Sequence, residues 1–169
     1  MKRPDENLIR VALPPDHVYF QVAGLGNMNN SWAFKAFGDR MIEKGYRKVV
    51  IDLAQCRGLD STFMGCILGL ASTLREAAGY DQLYVLNPDA HCMGQMAGIG
   101  LDRIVKVKRE QCELPRLEMH VLEVGPVSNA DRIRLIKQAH EALIRLDKRN
   151  EAKFGPFLKA LAKELPGKE

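Results

Sequence analysis

The chain has little that would equip it to hold a metal or a redox group. Its four cysteines, Cys56, Cys66, Cys92 and Cys112, are scattered without a C-x-x-C pair, and none of its four histidines, His17, His91, His120 and His140, lies four residues from another. Structural zinc, dithiol redox and helical metal motifs all depend on such spacings, so no metal is expected and the thiols are read as reduced, several of them buried. Gly24-Leu-Gly26 lacks the third glycine and acidic partner of a dinucleotide site, and no Gly-Lys-Ser/Thr phosphate loop or Gly-x-Ser-x-Gly nucleophile context occurs. No cofactor and no catalysis are expected. The chain also lacks an apolar run of roughly 20 residues, the length a membrane-spanning helix needs. Its start, Met1-Lys-Arg-Pro-Asp-Glu, has no secretory apolar stretch or cleavage site, so a cytoplasmic location without membrane insertion is expected.

What is present suits one globular domain with an appendage: 169 residues, 46% hydrophobic and 27% charged. The formal charge of +4 is unevenly placed, with 15 Lys+Arg against 15 Asp+Glu through residue 126 and 10 against 6 over 127–169. Acidic residues interleave with this excess, as on a solvated helical face, so no direct nucleic-acid binding is expected.

Val18-Tyr-Phe-Gln-Val-Ala-Gly reads as a strand entering a turn, and Ser31 can cap a helix from Trp32 to Lys44 whose Phe34, Phe37, Met41 and Ile42 recur at helical spacing. Val49-Val-Ile-Asp-Leu is the continuous β-branched run of a buried central strand. A turn at Gln55-Cys-Arg-Gly leads to a helix carrying Phe63, Ile67, Leu70, Ala71 and Leu74, closed by Gly79. Leu83-Tyr-Val-Leu is another strand, Pro88 opens a short helix through Met96, and Gly98 begins a turn into a last strand near Val107. This alternation predicts an α/β fold with a substantially parallel sheet and helices packed on it. After Pro126 two amphipathic helices follow, one striped by Ile133, Ile136, Leu143 and Leu146, the other by Phe154, Phe157, Leu158, Leu161 and Leu165. They predict a docked hairpin over 127–169, appended to a domain over 1–126.

The segment Val49-Val-Ile-Asp-Leu-Ala-Gln-Cys-Arg-Gly-Leu-Asp-Ser-Thr-Phe-Met-Gly resembles the core motif of STAS domains, in which a strand ending Asp-Leu runs through a loop into Asp-Ser-Ser/Thr-Gly and a helix. Leu83-Tyr-Val-Leu-Asn-Pro and Gly100-Leu-Asp-Arg-Ile-Val-Lys-Val resemble the family's next strand and its final glycine-leucine turn, so the likeness runs over residues 8–108. The resemblance implies an α/β fold whose sheet is mixed and partly parallel, and within that family it points to the anti-sigma factor antagonists, which bind partners rather than catalyse.

The resemblance implies that Ser61, directly after Asp60, is the phosphoacceptor, with Thr62 the alternate. It implies a docking surface of Asp60, Ser61, Thr62, Phe63 and Met64, joined by Asn27 where the family often has an acidic residue. The implied partners are an anti-sigma factor that is also a serine kinase of the histidine-kinase-like ATPase fold, and a PP2C-type phosphatase. A STAS scaffold of a signalling assembly and an accessory subunit of a lipid or anion transport system are the alternatives. From chemistry alone, a helix start tolerates phosphate and leaves amides open towards it, while an Asp-Ser pair is equally an ordinary helix cap. Asp52 matches a common family acid and is read as ordering the loop after its strand.

Overall fold

The computed structural model describes residues 6–78, 82–109 and 117–164. Cys112, Gly79 and Leu165 lie outside them. The strands are β1 (Leu8–Ala12), β2 (Val18–Gly26), β3 (Val49–Asp52), β4 (Cys56–Leu59), β5 (Leu83–Leu86), β6 (Lys106–Lys108) and β7 (His120–Val121). The helices are α1 (Met28–Glu43), α2 (Ser61–Ala78), α3 (Ala90–Gly98), α4 (Asn129–Leu146) and α5 (Arg149–Ala162), with a 3-10 turn at Leu101–Arg103.

The sheet runs β6-β5-β3-β2-β1-β7, and β4 pairs separately with the end of β2. Strands β2, β3, β5 and β6 are parallel, while β1 and β7 add antiparallel edges, so the sheet is mixed as expected. Three strands escape the sequence pattern, among them β7, which lies beyond the strand read as the last. Leu8–Ala12 pairs with β2 through Leu8↔Ala23 to Ala12↔Tyr19, and Cys56–Leu59, read as a turn, hydrogen-bonds alongside Gly24–Gly26.

One face of the sheet carries the helices. Val18, Phe20, Val22, Val49, Ile51, Leu83 and Val85 join Phe34, Met41, Phe63, Ile67, Leu70 and Met96 in one core. The expected cap of α1 is corrected by four residues. Asn27 caps it by accepting from Asn29 N while the Asn30 side chain accepts from Asn27 N, a reciprocal box that outcompetes Ser31. Ser31 is buried one turn inside, donating to the Asn27 carbonyl at 2.6 Å.

The C-terminal hairpin is docked. Leu135, Ala139 and Leu143 of α4 belong to the same core as the sheet, packed on α2. The two stripes fare differently, however: α4 is buried along its apolar side, whereas Asn150 is the buried residue of α5 and Phe157 stays 42% exposed. Asn150 bolts α5 down by donating to the carbonyls of Ile99 and Leu143 at 3.0 and 2.7 Å.

Candidate functional site

Strand β4 delivers the chain to the start of α2, and Asp60 fixes the corner. Its backbone N–H donates to Gly26 O, and its carboxylate accepts from Phe63 N and from Met28 N, both at 2.8 Å. One side chain therefore caps α2 and ties it to the first turn of α1. The Asp60 carbonyl accepts the first intrahelical bond of α2, from Met64 N, and its carboxylate closes Phe63 N, one of the amides that were expected to stand open at this helix start.

Ser61, the first residue of α2, is half-buried. Its Oγ lies 2.8 Å from Nε2 of His140, which is on α4, 79 residues along the chain. His140 is only 2% exposed, and its Nδ1 lies 2.7 Å from the Ile136 carbonyl. A carbonyl can only accept, so Nδ1 carries the hydrogen and Nε2 of the neutral ring accepts from the Ser61 hydroxyl. Burial holds the imidazole pKa below its ordinary value, opposed more weakly by the Ile136 hydrogen bond and the Asp60 charge. The rings of Phe154 and Phe157 from α5 close over it at 5.0 and 4.9 Å.

A depressed histidine pKa means that protonation favours the unfolded chain. The stability due to neutral His140 is complete above the ordinary value of 6.5 and is lost as pH falls through the lower folded value. The melting temperature of the native chain should therefore fall faster below pH 6.5 than that of His140→Gln, measured by calorimetry across pH 5–8. Parallel curves would rule this titration out.

The other expected site residues divide. Asn27 is half-buried as the cap of α1. Thr62, 4% exposed, Phe63, 0%, and Met64, 5%, lie in the interior, because α2 is packed between α1 and α4 and is buried on more than one side of its first turns. Phe63 stacks on Phe34 at 4.6 Å between centroids. The expected docking role of Phe63 and Met64 is thus corrected to core packing in this conformation. Apolar surface near the corner comes instead from Leu25, Met28 and Phe157, which are 39%, 43% and 42% exposed. Asp52 orders its loop, accepting from Ala54 N at 2.9 Å and from the Tyr19 hydroxyl at 2.5 Å. Among the described residues no three His, Cys, Asp or Glu side chains gather as a metal set, and no helix is long and apolar enough to cross a membrane.

His140 is the residue that sequence reasoning missed. It sits among apolar positions of an amphipathic helix, a pattern that carries no sign of a partner 79 residues away.

No family model matches the chain. Proteins named as anti-sigma factor antagonists in Thermotoga neapolitana and Thermotoga maritima are each 28% identical to it over 82 residues, covering 48% of this chain and 71% of theirs. A crystal structure of a Thermotoga maritima anti-sigma factor antagonist superposes with a TM-score of 0.53 at 22% identity, covering 60% of this chain and 85% of that one. The anti-sigma factor antagonist SpoIIAA in its unphosphorylated form gives 0.54 at 16% identity, with 61% and 90% covered. The phosphorylated form of SpoIIAA, the Bacillus cell fate determinant, gives 0.51 at 17% identity, with 61% and 93% covered.

Proposed function

We propose that this chain, which has the STAS fold of the anti-sigma factor antagonists, is a phosphorylation-switched antagonist. Unmodified, it binds an anti-sigma factor that is a serine kinase of the histidine-kinase-like ATPase fold; phosphorylation of Ser61 ends that binding, and a PP2C-type phosphatase restores it. It works in the cytoplasm as a regulator of transcription, by binding and not by catalysis.

The observation that carries this reading is the placement of Ser61. Its hydroxyl stands on the first residue of α2, half-buried, immediately after a carboxylate committed to capping two helices. Phosphate there adds about −1.5 to −2 charges at pH 7 beside Asp60 and within the patch that includes Leu25 and Met28. An interface pressed against that patch would have to desolvate the new charge, which repels it without any need to refold the domain. Thr62 shares the turn but is 4% exposed, so Ser61 is the accessible hydroxyl of the pair. The fold tolerates such a change in SpoIIAA, whose structures include unphosphorylated and phosphorylated forms.

Incubation with the cognate kinase and ATP is expected to place one phosphate on Ser61, located by mass spectrometry, and Ser61→Ala is expected to take none. Ser61→Asp should fold normally and bind the kinase at least tenfold more weakly by calorimetry. Full modification of Ser61→Ala at Thr62, or equal affinity of Ser61→Asp and the native chain, would overturn the assignment.

A further inference from the structure

The hairpin of α4 and α5 does more than cover apolar surface, because it ends its reach on the one hydroxyl that the proposed function depends on. We propose that His140 latches this hairpin over Ser61 and that phosphorylation of Ser61 releases it. The proposal rests on reading Ser61 as the phosphoacceptor, and takes that modification to have a conformational output.

The latch is a hydrogen bond whose direction is fixed. The Ile136 carbonyl claims the hydrogen on Nδ1, so Nε2 has only a lone pair to offer, and the Ser61 hydroxyl must donate across the 2.8 Å between them. In the kinase reaction the bond from Oγ to the γ-phosphorus of ATP forms, the bond from that phosphorus to the ADP oxygen breaks, and the hydroxyl proton leaves to the kinase. The product has no hydrogen on Oγ. The donor has gone, and a group with three acceptor oxygens and about −1.5 to −2 charges takes its place against a lone pair.

The surroundings disfavour a phosphate where the hydroxyl stood. Asp60 on one side is already committed as an acceptor to Met28 N and Phe63 N and repels a second anion. Phe154 and Phe157 crowd the other side of His140. Below, α4 runs so close to α2 that a Cβ built on Gly65 would meet the Ala139 carbonyl oxygen at 2.5 Å and the Ala139 Cβ at 2.6 Å, which leaves no slack between the helices. Keeping the phosphate against Nε2 would require charging an imidazole that is 2% exposed, whose burial opposes that charge. Moving the hairpin relieves the conflict: α5 is lightly held, since Asn150 is its buried residue and its apolar residues are only partly covered, while lifting α4 uncovers Leu135, Ala139 and Leu143. Release would uncover the Gly65 and Leu68 side of α2 and free a segment with 10 basic against 6 acidic residues.

The test uses the full chain with phosphoserine incorporated at position 61 during translation, so that no kinase is needed. Hydrogen–deuterium exchange of residues 129–162 should run at least tenfold faster than in the unmodified chain, while β2, β3 and β5 keep their protection. Ser61→Ala, which loses the donor but gains no charge, should show a smaller acceleration, and Ser61→Glu should fall between the two. If the phosphorylated preparation loses protection in the sheet as well, Ser61→Glu decides by the same comparison. Exchange over 129–162 that is unchanged or slower would overturn the latch, meaning that a charged His140 grips the phosphate instead. A chain that the kinase labels on Ser61 with the hairpin unmoved would sink the latch and leave the proposed function standing; a hairpin released by phosphoserine in a protein that no kinase labels would do the reverse.

Discussion

Phe63→Ala is expected to destabilise the protein by about 3–5 kcal/mol, the usual cost of removing a fully buried aromatic ring. The ring is 0% exposed and stacked on Phe34, and it lies so close beneath β2 that a Cβ on Gly26 would approach it to 2.9 Å. Phe34 on α1 and Gly26 on β2 would border the space left behind, and a close-packed core does not refill such a space without loss of other contacts. For a chain of this size the loss corresponds to a fall of about 6–20 °C in melting temperature. Urea denaturation gives the free energy directly. A variant that kept its stability within about 1 kcal/mol while losing a binding partner would return Phe63 to the surface role that its position in the motif implies.

Gly65→Val should show a comparably large effect, by the opposite mechanism. The added carbons would be driven into the backbone of Ala139, which is held in place by its own helix, so α4 must lift away from α2. Overpacking of this kind costs about 1–3 kcal/mol, and here the cost includes separating Leu135 and Leu143 from the core they share with α2. The Ser61–His140 hydrogen bond, one turn away, should open with it. The control is Gly94→Ala on α3, where a Cβ would meet nothing within 4 Å and the gain in helix propensity should stabilise by up to about 1 kcal/mol. Thermal melts of both variants check the pair. Similar behaviour of the two would mean that α2 and α4 are not in tight contact in solution.

The parallel strands were the most legible part of the fold. Val49–Asp52 and Leu83–Leu86 are continuous apolar runs because they are buried in the centre of the sheet, and such runs have few other interpretations. The edges were less legible. Leu8–Ala12 is interrupted by Arg10, which faces away from the core and pairs with Gln21, and Cys56–Leu59 contains a glycine and an arginine that read locally as a turn. Their strand character comes from β2, which lies beside both and supplies the hydrogen bonds. The same limit applies to the site. The Asp60–Ser61 corner was visible as a motif, but a motif does not say which way its residues point. Phe63 and Met64 are covered because α1 and α4 pack on different sides of α2, an arrangement the motif does not encode. The contact with His140 depends on how α4 crosses α2, which is set by the small residues Gly65 and Ala139, and that pairing has no periodic signature in either helix.

The 79 residues between Ser61 and His140 also set an order of events during synthesis. The sheet other than β7, together with α2, can assemble as soon as β6 has been made, whereas α4 is not complete until Leu146. At roughly 5–20 residues per second, that leaves several seconds in which Ser61 is a hydroxyl without its histidine and the Gly65 side of α2 is bare. A newly made chain therefore passes through a stage in which Ser61 is more open to a modifying enzyme than it will be again until the hairpin is displaced.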